Sequence, residues 1–147
     1  MKSRGFTLLI AVVIASVATA IGFALATLAY KEVILAVAGK QSHIAFYAAN
    51  SALECGLYWD EQQNAFDFTN PLPSIACAGQ SVPITTISHA GGERVMSVEL
   101  SFEGGVSCGR LEIHKASSGA TTLYALGYNT CDQSAPNRIE RGLKASY

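Results

Sequence analysis

The sequence predicts an α+β protein, in which one long N-terminal α-helix packs on a small antiparallel β-sheet head. Three observations predict this fold. Residues 6–30 contain no charged side chain, residues 31–59 contain no proline and place apolar side chains at three- and four-residue spacings, and later segments alternate apolar and polar residues. The chain has 147 residues, which is enough for one compact domain and an appendage.

Composition and charge argue against nucleic acid as the main partner. Half of the residues are hydrophobic, and they are concentrated in the first third of the chain. The formal net charge is −1, and residues 1–5 contain two of the cations, Lys2 and Arg4. Without those five residues, 8 basic residues stand against 11 acidic ones, a net charge of −3. No basic stripe is left to neutralise phosphates, so we predict no direct binding of nucleic acid.

The apolar segment at residues 6–30 is either a signal peptide that is removed or an anchor that stays. Its 25 residues can cross the roughly 30 Å apolar layer of a bilayer as a helix, whereas the apolar part of a signal peptide has about 7 to 15 residues. Ala18, Thr19 and Ala20 do form a small-x-small cleavage pattern, after which a mature chain would begin at Ile21. The unbroken apolar run as far as Tyr30 favours the anchor.

The charges before the apolar segment predict its orientation. Lys2 and Arg4 hold the N-terminus on the cytoplasmic side by the positive-inside rule. We therefore expect a single pass through the cytoplasmic (inner) membrane, with the C-terminus outside. Four cysteines in an extracytoplasmic head are expected to form two disulfides.

The sequence RGFTLL at residues 4–9 resembles the leader junction of type IV pilins and pseudopilins. In that family a basic leader ending in glycine is removed before phenylalanine, which becomes an N-methylated terminus. The resemblance implies that residues 1–5 are a prepilin leader and that a prepilin peptidase cuts between Gly5 and Phe6. It also implies that the anchor survives the cut and later forms the helical core of an extracellular pilus. The implied partners are this peptidase, membrane lipid before assembly, other pilin subunits and the pilus assembly platform.

Ile10 departs from the family pattern, since members of this family usually carry a glutamate as the fifth residue after the cut. That glutamate is thought to pair with the N-terminal amine of a neighbouring subunit during assembly. Ile10 cannot form this pair, although the amine of Phe6 can still receive a carboxylate from another subunit. The asymmetry predicts a minor subunit at a tip or initiating position. The other interpretation is that Ile10 packs in a major subunit whose register is fixed elsewhere.

The helix is predicted to continue beyond the membrane as an amphipathic segment over residues 31–59. Gly22 and Gly39 are the expected weak points for bending, because glycine in a helix costs about 1 kcal/mol relative to alanine. The apolar stripe that needs a cover consists of Val33, Ile34, Val37, Ile44, Ala45, Ala48, Ala49, Ala52 and Leu53. Residues 60–80, punctuated by asparagine, proline and glycine, are predicted to be a connecting loop.

Residues 81–147 are predicted to form the antiparallel sheet. An early strand is expected at residues 82–88 and a last one at residues 138–147. Between them, Gly104 and Gly105 offer a hairpin turn. This turn sets Val98 opposite Leu111 and Met96 opposite Ile113.

A second hairpin around Gly119 and Ala120 sets Leu111 opposite Tyr128 and Ile113 opposite Leu126. The same register sets Cys108 opposite Cys131. It leaves Cys55, at the helix end, to pair with Cys77 in the loop.

Two further segments resemble PilX-type minor pilins. They are AFYAANSALE at residues 45–54 and the end of the chain, with ALGYN at residues 125–129 and RIER at residues 138–141. The resemblance covers the leader, the helix and the last two strands. It does not cover residues 60–88, where we expect the contacts that are specific to this protein.

No residue pattern indicates catalysis, a cofactor or a metal. The sequence has no C-x-x-C pair, and the three histidines fall on different predicted elements: His43, His89 and His114. The acidic residues of the strands are predicted to be solvated: Glu99, Glu103 and Glu112. Tyr124 and Tyr128 share the predicted apolar strand face, so we expect them in the core rather than stacked on bases.

The expected function is that of a structural subunit of a type IV pilus or related pseudopilus, and not of an enzyme. The alternative is a single-pass membrane-anchored, or signal-peptide-cleaved, extracytoplasmic domain that binds a partner without polymerising. The two differ in the processed N-terminus: Phe6 for the pilin-like subunit, and Met1 or Ile21 for the alternative. The sequence does not distinguish motility, adhesion, DNA uptake and secretion.

Overall fold

The computed structural model describes the chain from residue 4 onward, with side chains described from Phe6. Residues 1–3 of the predicted leader lie outside the described residues. The helix α1 spans Arg4–Gln63. Seven strands follow: β1 (Ser74–Cys77), β2 (Gln80–Pro83), β3 (Thr85–Ala90), β4 (Glu93–Phe102), β5 (Ser107–Ala116), β6 (Thr121–Tyr128) and β7 (Glu140–Ser146). A short 3-10 turn, Glu103–Gly105, joins β4 to β5.

The chain divides into two compact units, the helical part up to Gly39 and the head, Lys40–Tyr147. The head is α+β, as predicted. Its sheet is five-stranded and antiparallel, in the order β3-β4-β5-β6-β7, and β1 and β2 form a separate two-stranded sheet.

Residues 60–80, predicted as a loop, are more ordered than expected. The helix runs to Gln63 rather than ending near residue 59, and β1 lies within this segment. The early strand predicted at residues 82–88 is two strands, β2 and β3, and the last strand is shorter than predicted. Strands of four residues, such as β1 and β2, are too short to show an alternating pattern, which explains the difference.

The register of the first hairpin is confirmed, because Met96 pairs with Ile113 and Val98 with Leu111. The predicted register of the second hairpin is wrong by three residues. Leu111 pairs with Ala125 rather than Tyr128, and Cys108 pairs with Tyr128 rather than Cys131.

The cause is the turn between β5 and β6. It is closed by a hydrogen bond from the Ala116 amide to the Ala120 carbonyl, and Gly119 occupies its left-handed position at φ 97°. A shift by an odd number of residues exchanges the two faces of a strand. Leu123 and Ala125 therefore face the core, whereas Tyr124, predicted in the core, lies on the outer face with 37% of its surface exposed.

Small side chains let the helix approach the sheet closely. Four alanines of α1 are almost fully buried: Ala45, Ala48, Ala49 and Ala52. Opposite them lies Gly127 of β6, where an added Cβ would collide with backbone atoms of Ala45 and Ala49. The apolar core between helix and sheet includes Phe66, Ile75, Met96, Val98, Leu100, Leu111, Ile113 and Leu123.

The predicted apolar stripe of the helix is covered only in part. Ala45 and the later alanines of the stripe are buried, but Val33, Ile34 and Val37 each expose half or more of their surface. These three residues belong to the helical unit rather than to the head.

Two disulfides link Cys55 to Cys77 and Cys108 to Cys131, the two pairs that the sequence predicts. Their Cα atoms are 6.1 Å and 5.1 Å apart. The first bridge ties the end of the helix to β1, and the second ties β5 to the segment that follows β6.

We predict that replacing Cys108 and Cys131 together by alanine lowers the free energy of unfolding of the head by about 3 kcal/mol, because the unfolded chain gains the freedom of the opened loop. Denaturant unfolding of the full chain in detergent micelles measures the change. Peptide mapping without reductant should recover both linked pairs from protein taken from the cell surface. Free thiols in that material would contradict the prediction.

Candidate functional site

The helical unit exposes apolar side chains on every side. All its large apolar residues from Phe6 to Val37 are at least 40% exposed, from Ile10 at 40% to Phe23 at 78%. A helix that is apolar all round needs an apolar environment, either lipid or other helices. By length and composition, the helix Phe6–Gln63 could span a membrane, and its most apolar stretch has a mean hydropathy of 2.6 and no buried residue.

Polar side chains of this segment bond to the helix itself. The hydroxyl of Ser16 donates to the Val13 carbonyl at 2.8 Å, and the hydroxyl of Thr27 donates to the Ala24 carbonyl at the same distance. Thr19 likewise donates to a carbonyl one turn earlier in the chain. These hydroxyls therefore need no water, which makes the segment compatible with lipid.

The predicted site residues of the helix, Gly5, Phe6, Ile10, Gly22 and Gly39, all lie within α1. Phe6, the predicted new terminus, is 65% exposed. An added Cβ at Gly22 or Gly39 would meet no atom within 4 Å, so these glycines leave room for a close neighbour. Bending at either glycine, and cleavage after Gly5, stay predictions.

The head holds its first helical turn through two side-chain contacts. The buried amide of Asn129 donates to Oε1 of Gln41 at 2.9 Å, and Nε of Arg141 donates to the hydroxyl of Ser42 at 2.9 Å. The Asn129 side chain also accepts from the Ile139 amide at 2.6 Å. One asparagine thus fixes both the helix and the segment between β6 and β7.

A buried polar network lies at the other end of the head's helix. Both carboxylate oxygens of Asp60 accept from Nζ of Lys115, at 3.0 and 2.9 Å. The hydroxyls of Thr121 and Tyr147 donate to the same carboxylate, each at 2.9 Å. Burial raises the pKa of the Tyr147 hydroxyl, and its hydrogen bond to Asp60 raises it further.

Sequence reasoning missed this network, although one signal was present. Lys115 shares its strand face with Leu111 and Ile113, whose side chains are buried. A lysine at a core-facing strand position requires a buried acidic partner. Its partner is 55 residues away, so no local pattern could have named it.

His114, on β5, lies between two carboxylates on the outer face of the sheet. Nδ1 is 3.1 Å from Glu93 and Nε2 is 2.7 Å from Glu112. Partial burial lowers the pKa of His114, but the hydrogen bonds and the charges of the two carboxylates outweigh it. The pKa therefore lies above its ordinary value of 6.5.

We predict that His114 stabilises the head more at pH 5.5 than at pH 9. Its pKa is raised in the folded state, so its contribution is complete below pH 6.5 and is lost as the pH rises through the folded pKa. The free energy of unfolding of the wild type should exceed that of His114→Gln by roughly 0.5 kcal/mol at the lower pH. The difference should vanish at pH 9. A difference that is constant with pH would show that the imidazole acts by packing alone.

The other candidate residues lie on separate elements of the described chain. Within residues 4–147, no group of three or more histidine, cysteine or acidic side chains is placed to hold a metal ion. His43 is on the helix, and His89 is on β3, where its ring packs edge-on against Phe68. Glu99 lies on β4 opposite Arg110, and Glu103 lies in the turn that follows β4.

Comparison of the chain with protein-family models, with curated protein sequences and with solved structures found no match. The proposals below therefore depend on the residues and geometry described above.

Proposed function

We propose that this chain is a structural subunit of a type IV pilin-like filament, held in the cytoplasmic membrane by its N-terminal helix and then assembled through that helix. The observation that supports the proposal is the helical unit itself. Its large apolar side chains from Phe6 to Val37 are exposed on every side of the helix.

The mechanism follows from the chemistry of the helix surface. In the membrane, lipid tails surround the apolar side chains at residues 6–30. During assembly, helices of neighbouring subunits replace the lipid, and apolar contact is conserved. Contact between helices buries no more apolar surface from water than contact with lipid does, so van der Waals packing must favour it. Small residues such as Ala11, Ala15 and Gly22 let the helices approach closely enough for such packing. The head, covalently closed by its two disulfides, then provides the filament surface.

The processed N-terminus tests this proposal. Intact mass and N-terminal sequencing of the chain from the native membrane should give a start at Phe6, with a methyl group on the amine. The variant Gly5→Val should block the cut, whereas the matched variant Ala20→Val, at the signal-peptidase pattern, should not. A start at Met1 or Ile21 in the wild type would refute the proposal and favour an anchored or released binding domain.

We further propose that the subunit is a minor one, at the tip or in an initiating position. Ile10 supports this position, because it offers no carboxylate to the terminal amine of a subunit already in the filament. Subunit counting in sheared, purified filaments should find the chain as a small share, and immunogold should place it at one end. If the chain is the dominant component, Ile10 is a packing residue of a shaft subunit instead.

A further inference from the structure

An open groove, here called the helix groove, runs along one side of α1 in the head. It consists of two adjoining cavities of about 350 and 440 Å³, which share Ser51, Ala78 and Phe102. Each cavity has one exposed tyrosine of the helix in its wall, Tyr47 at 66% exposure and Tyr58 at 55%. All of its lining residues belong to the head, and most of the surface that they present is apolar.

The charged side chains of the helix groove are both acidic. Glu103 lines the cavity nearer the start of the head's helix, and Glu54 lines the other. Both side chains are exposed, and within the described chain neither forms a salt bridge. Of the residues that the structure describes, no lysine or arginine lines either cavity. The helix groove therefore suits an apolar segment that carries cations at its ends.

The chain itself carries such a segment at residues 33–39, with the sequence VILAVAG. Lys31 and Glu32 precede it and Lys40 follows it, and no salt bridge of the described chain involves these three residues. Every residue of the segment is exposed, Leu35 to 71%. With residues 6–30 in lipid, the two charges before this segment place it outside the apolar layer of the membrane. Its apolar side chains therefore need another cover.

We propose that the helix groove of one copy of this chain binds the apolar segment 33–39 of a second copy. The two helices run parallel, because the proposed anchoring places both N-termini on the cytoplasmic side. Lys31 of the second copy then lies beside Glu103, and its Lys40 lies beside Glu54. This inference rests on the proposed filament function and names the surfaces through which neighbouring copies meet.

The contact sets the two copies out of register. It brings the middle of the segment, Ala36, beside the middle of the groove, Ser51, which is a stagger of about 15 residues or about 22 Å of helix. Copies that are anchored in one membrane lie at the same depth, so the contact forms only when one copy has been lifted out of the lipid. Since the two surfaces differ, each pair leaves one groove and one segment free for further subunits. Two staggered copies at one end of a filament agree with a minor share.

The test is photo-crosslinking of the full chain in its native cells, with p-benzoylphenylalanine in place of Tyr47. Sheared filaments and the membrane fraction are irradiated separately, and we expect a crosslinked pair of copies in the filaments alone. Trypsin cuts after Lys31 and Lys40, so the second copy should be recovered as a linked peptide of residues 32–40. The same photoreactive residue in place of Tyr124, on the outer face of the sheet, should not link to that peptide.

Charge reversal tests the predicted ion pairs. Lys40→Glu and Glu54→Lys should each lower the yield of the crosslinked pair about fivefold, because each places like charges opposite one another. The two changes together should restore the yield, since the charges are then opposite again. Glu99→Lys makes the same charge change as Glu54→Lys on β4, away from the helix groove, and it should leave the yield unchanged.

The outcomes separate this inference from the filament function. The presence of the chain in sheared filaments and its start at Phe6 are measured in the same material, and both disulfides are checked in every variant. If the chain is in the filaments but Tyr47 links to a different protein or to another part of the second copy, the inference is wrong and the filament function stands. Linkage to residues 32–40 in the membrane fraction, or an unchanged yield in both single reversals, also overturns it. Absence of the chain from filaments overturns both proposals.

Discussion

Replacing Gly127 by alanine is expected to lower the free energy of unfolding of the head by about 3 kcal/mol or more, one of the two largest effects that we predict. The new Cβ would collide with backbone atoms of Ala45 and Ala49 on the buried face of the helix. A backbone cannot rotate out of the way as a side chain can, so helix and sheet must separate along their whole contact. Denaturant unfolding of the full chain in detergent micelles, followed by circular dichroism, measures the loss.

Two other strand glycines provide graded controls. At Gly142 the closest atom to an added Cβ would be the flexible end of Leu126, at 3.3 Å, and the Ala125 carbonyl oxygen is 4.0 Å away, so Gly142→Ala should have little effect. At Gly109 the nearest atoms are Cε2 of Phe102 at 3.0 Å and Cβ of Ala52 at 3.1 Å, which predicts an intermediate effect. Equal losses in all three variants would mean that alanine disturbs these strands for a reason other than helix contact.

The second large effect is expected from Lys115→Met. The Asp60 side chain is only 2% exposed, and Lys115 is the one cation that pairs with it in the described chain. Removal of the ammonium group leaves a buried carboxylate with two hydroxyl donors and no opposite charge. Breaking a buried pair in this way costs about 3–5 kcal/mol, measured as the change in the free energy of unfolding.

A double variant distinguishes the loss of the pair from the loss of packing. Asp60→Asn combined with Lys115→Met removes both charges and retains an acceptor for the Thr121 and Tyr147 hydroxyls. The double variant should be more stable than Lys115→Met alone, because no uncompensated charge remains buried. If the loss of stability in the double variant equals the sum of the losses in Asp60→Asn and Lys115→Met, the ion pair does not account for the effect. Tyr147→Phe, which removes one hydrogen bond, should cost about 1 kcal/mol.

Local sequence patterns predicted the elements whose periodicity is long and strong. The apolar run from Phe6 and the alternation around Met96 and Val98 each extend over many residues, so helix and strand could be told apart. The turn between β5 and β6 shows where this fails. The position of this turn depends on Gly119 taking the left-handed conformation. The sequence alone predicted a turn centred on Gly119 and Ala120, one to two residues later than the observed one.

The Cys108–Cys131 pair was predicted correctly from a register that is wrong. Cys131 is not on β6 but three residues beyond its end, in a segment that lies against β5. The cysteines meet because that segment turns back towards Cys108, with their Cα atoms 5.1 Å apart. Agreement between the predicted register and the disulfide was therefore coincidental.

The head's polar sites depend on contacts between distant parts of the chain, which explains why sequence patterns did not reveal them. Asp60 meets Tyr147 across 87 residues, and Gln41 meets Asn129 across 88. The segment that contains β1 was predicted to be a loop. It is ordered by its pairing with β2 and by the disulfide to Cys55, and neither contact leaves a periodic pattern in the segment itself. By contrast, the long apolar helix was predicted from sequence because its pattern is local, whereas the roles of Gly5, Phe6, Ile10, Gly22 and Gly39 stay predictions.

The Cys55–Cys77 bridge has a consequence for the response of this chain to proteolysis. The bridge encloses the irregular residues 64–73, the stretch between α1 and β1. A protease that cuts the chain there would sever the peptide connection between α1 and the strands, yet the disulfide would keep the two pieces joined. The stretch between the two cysteines also contains no lysine or arginine, so trypsin-like enzymes find no site in it. A chain cut there would thus keep its strands attached to α1 until a reductant reached the bridge.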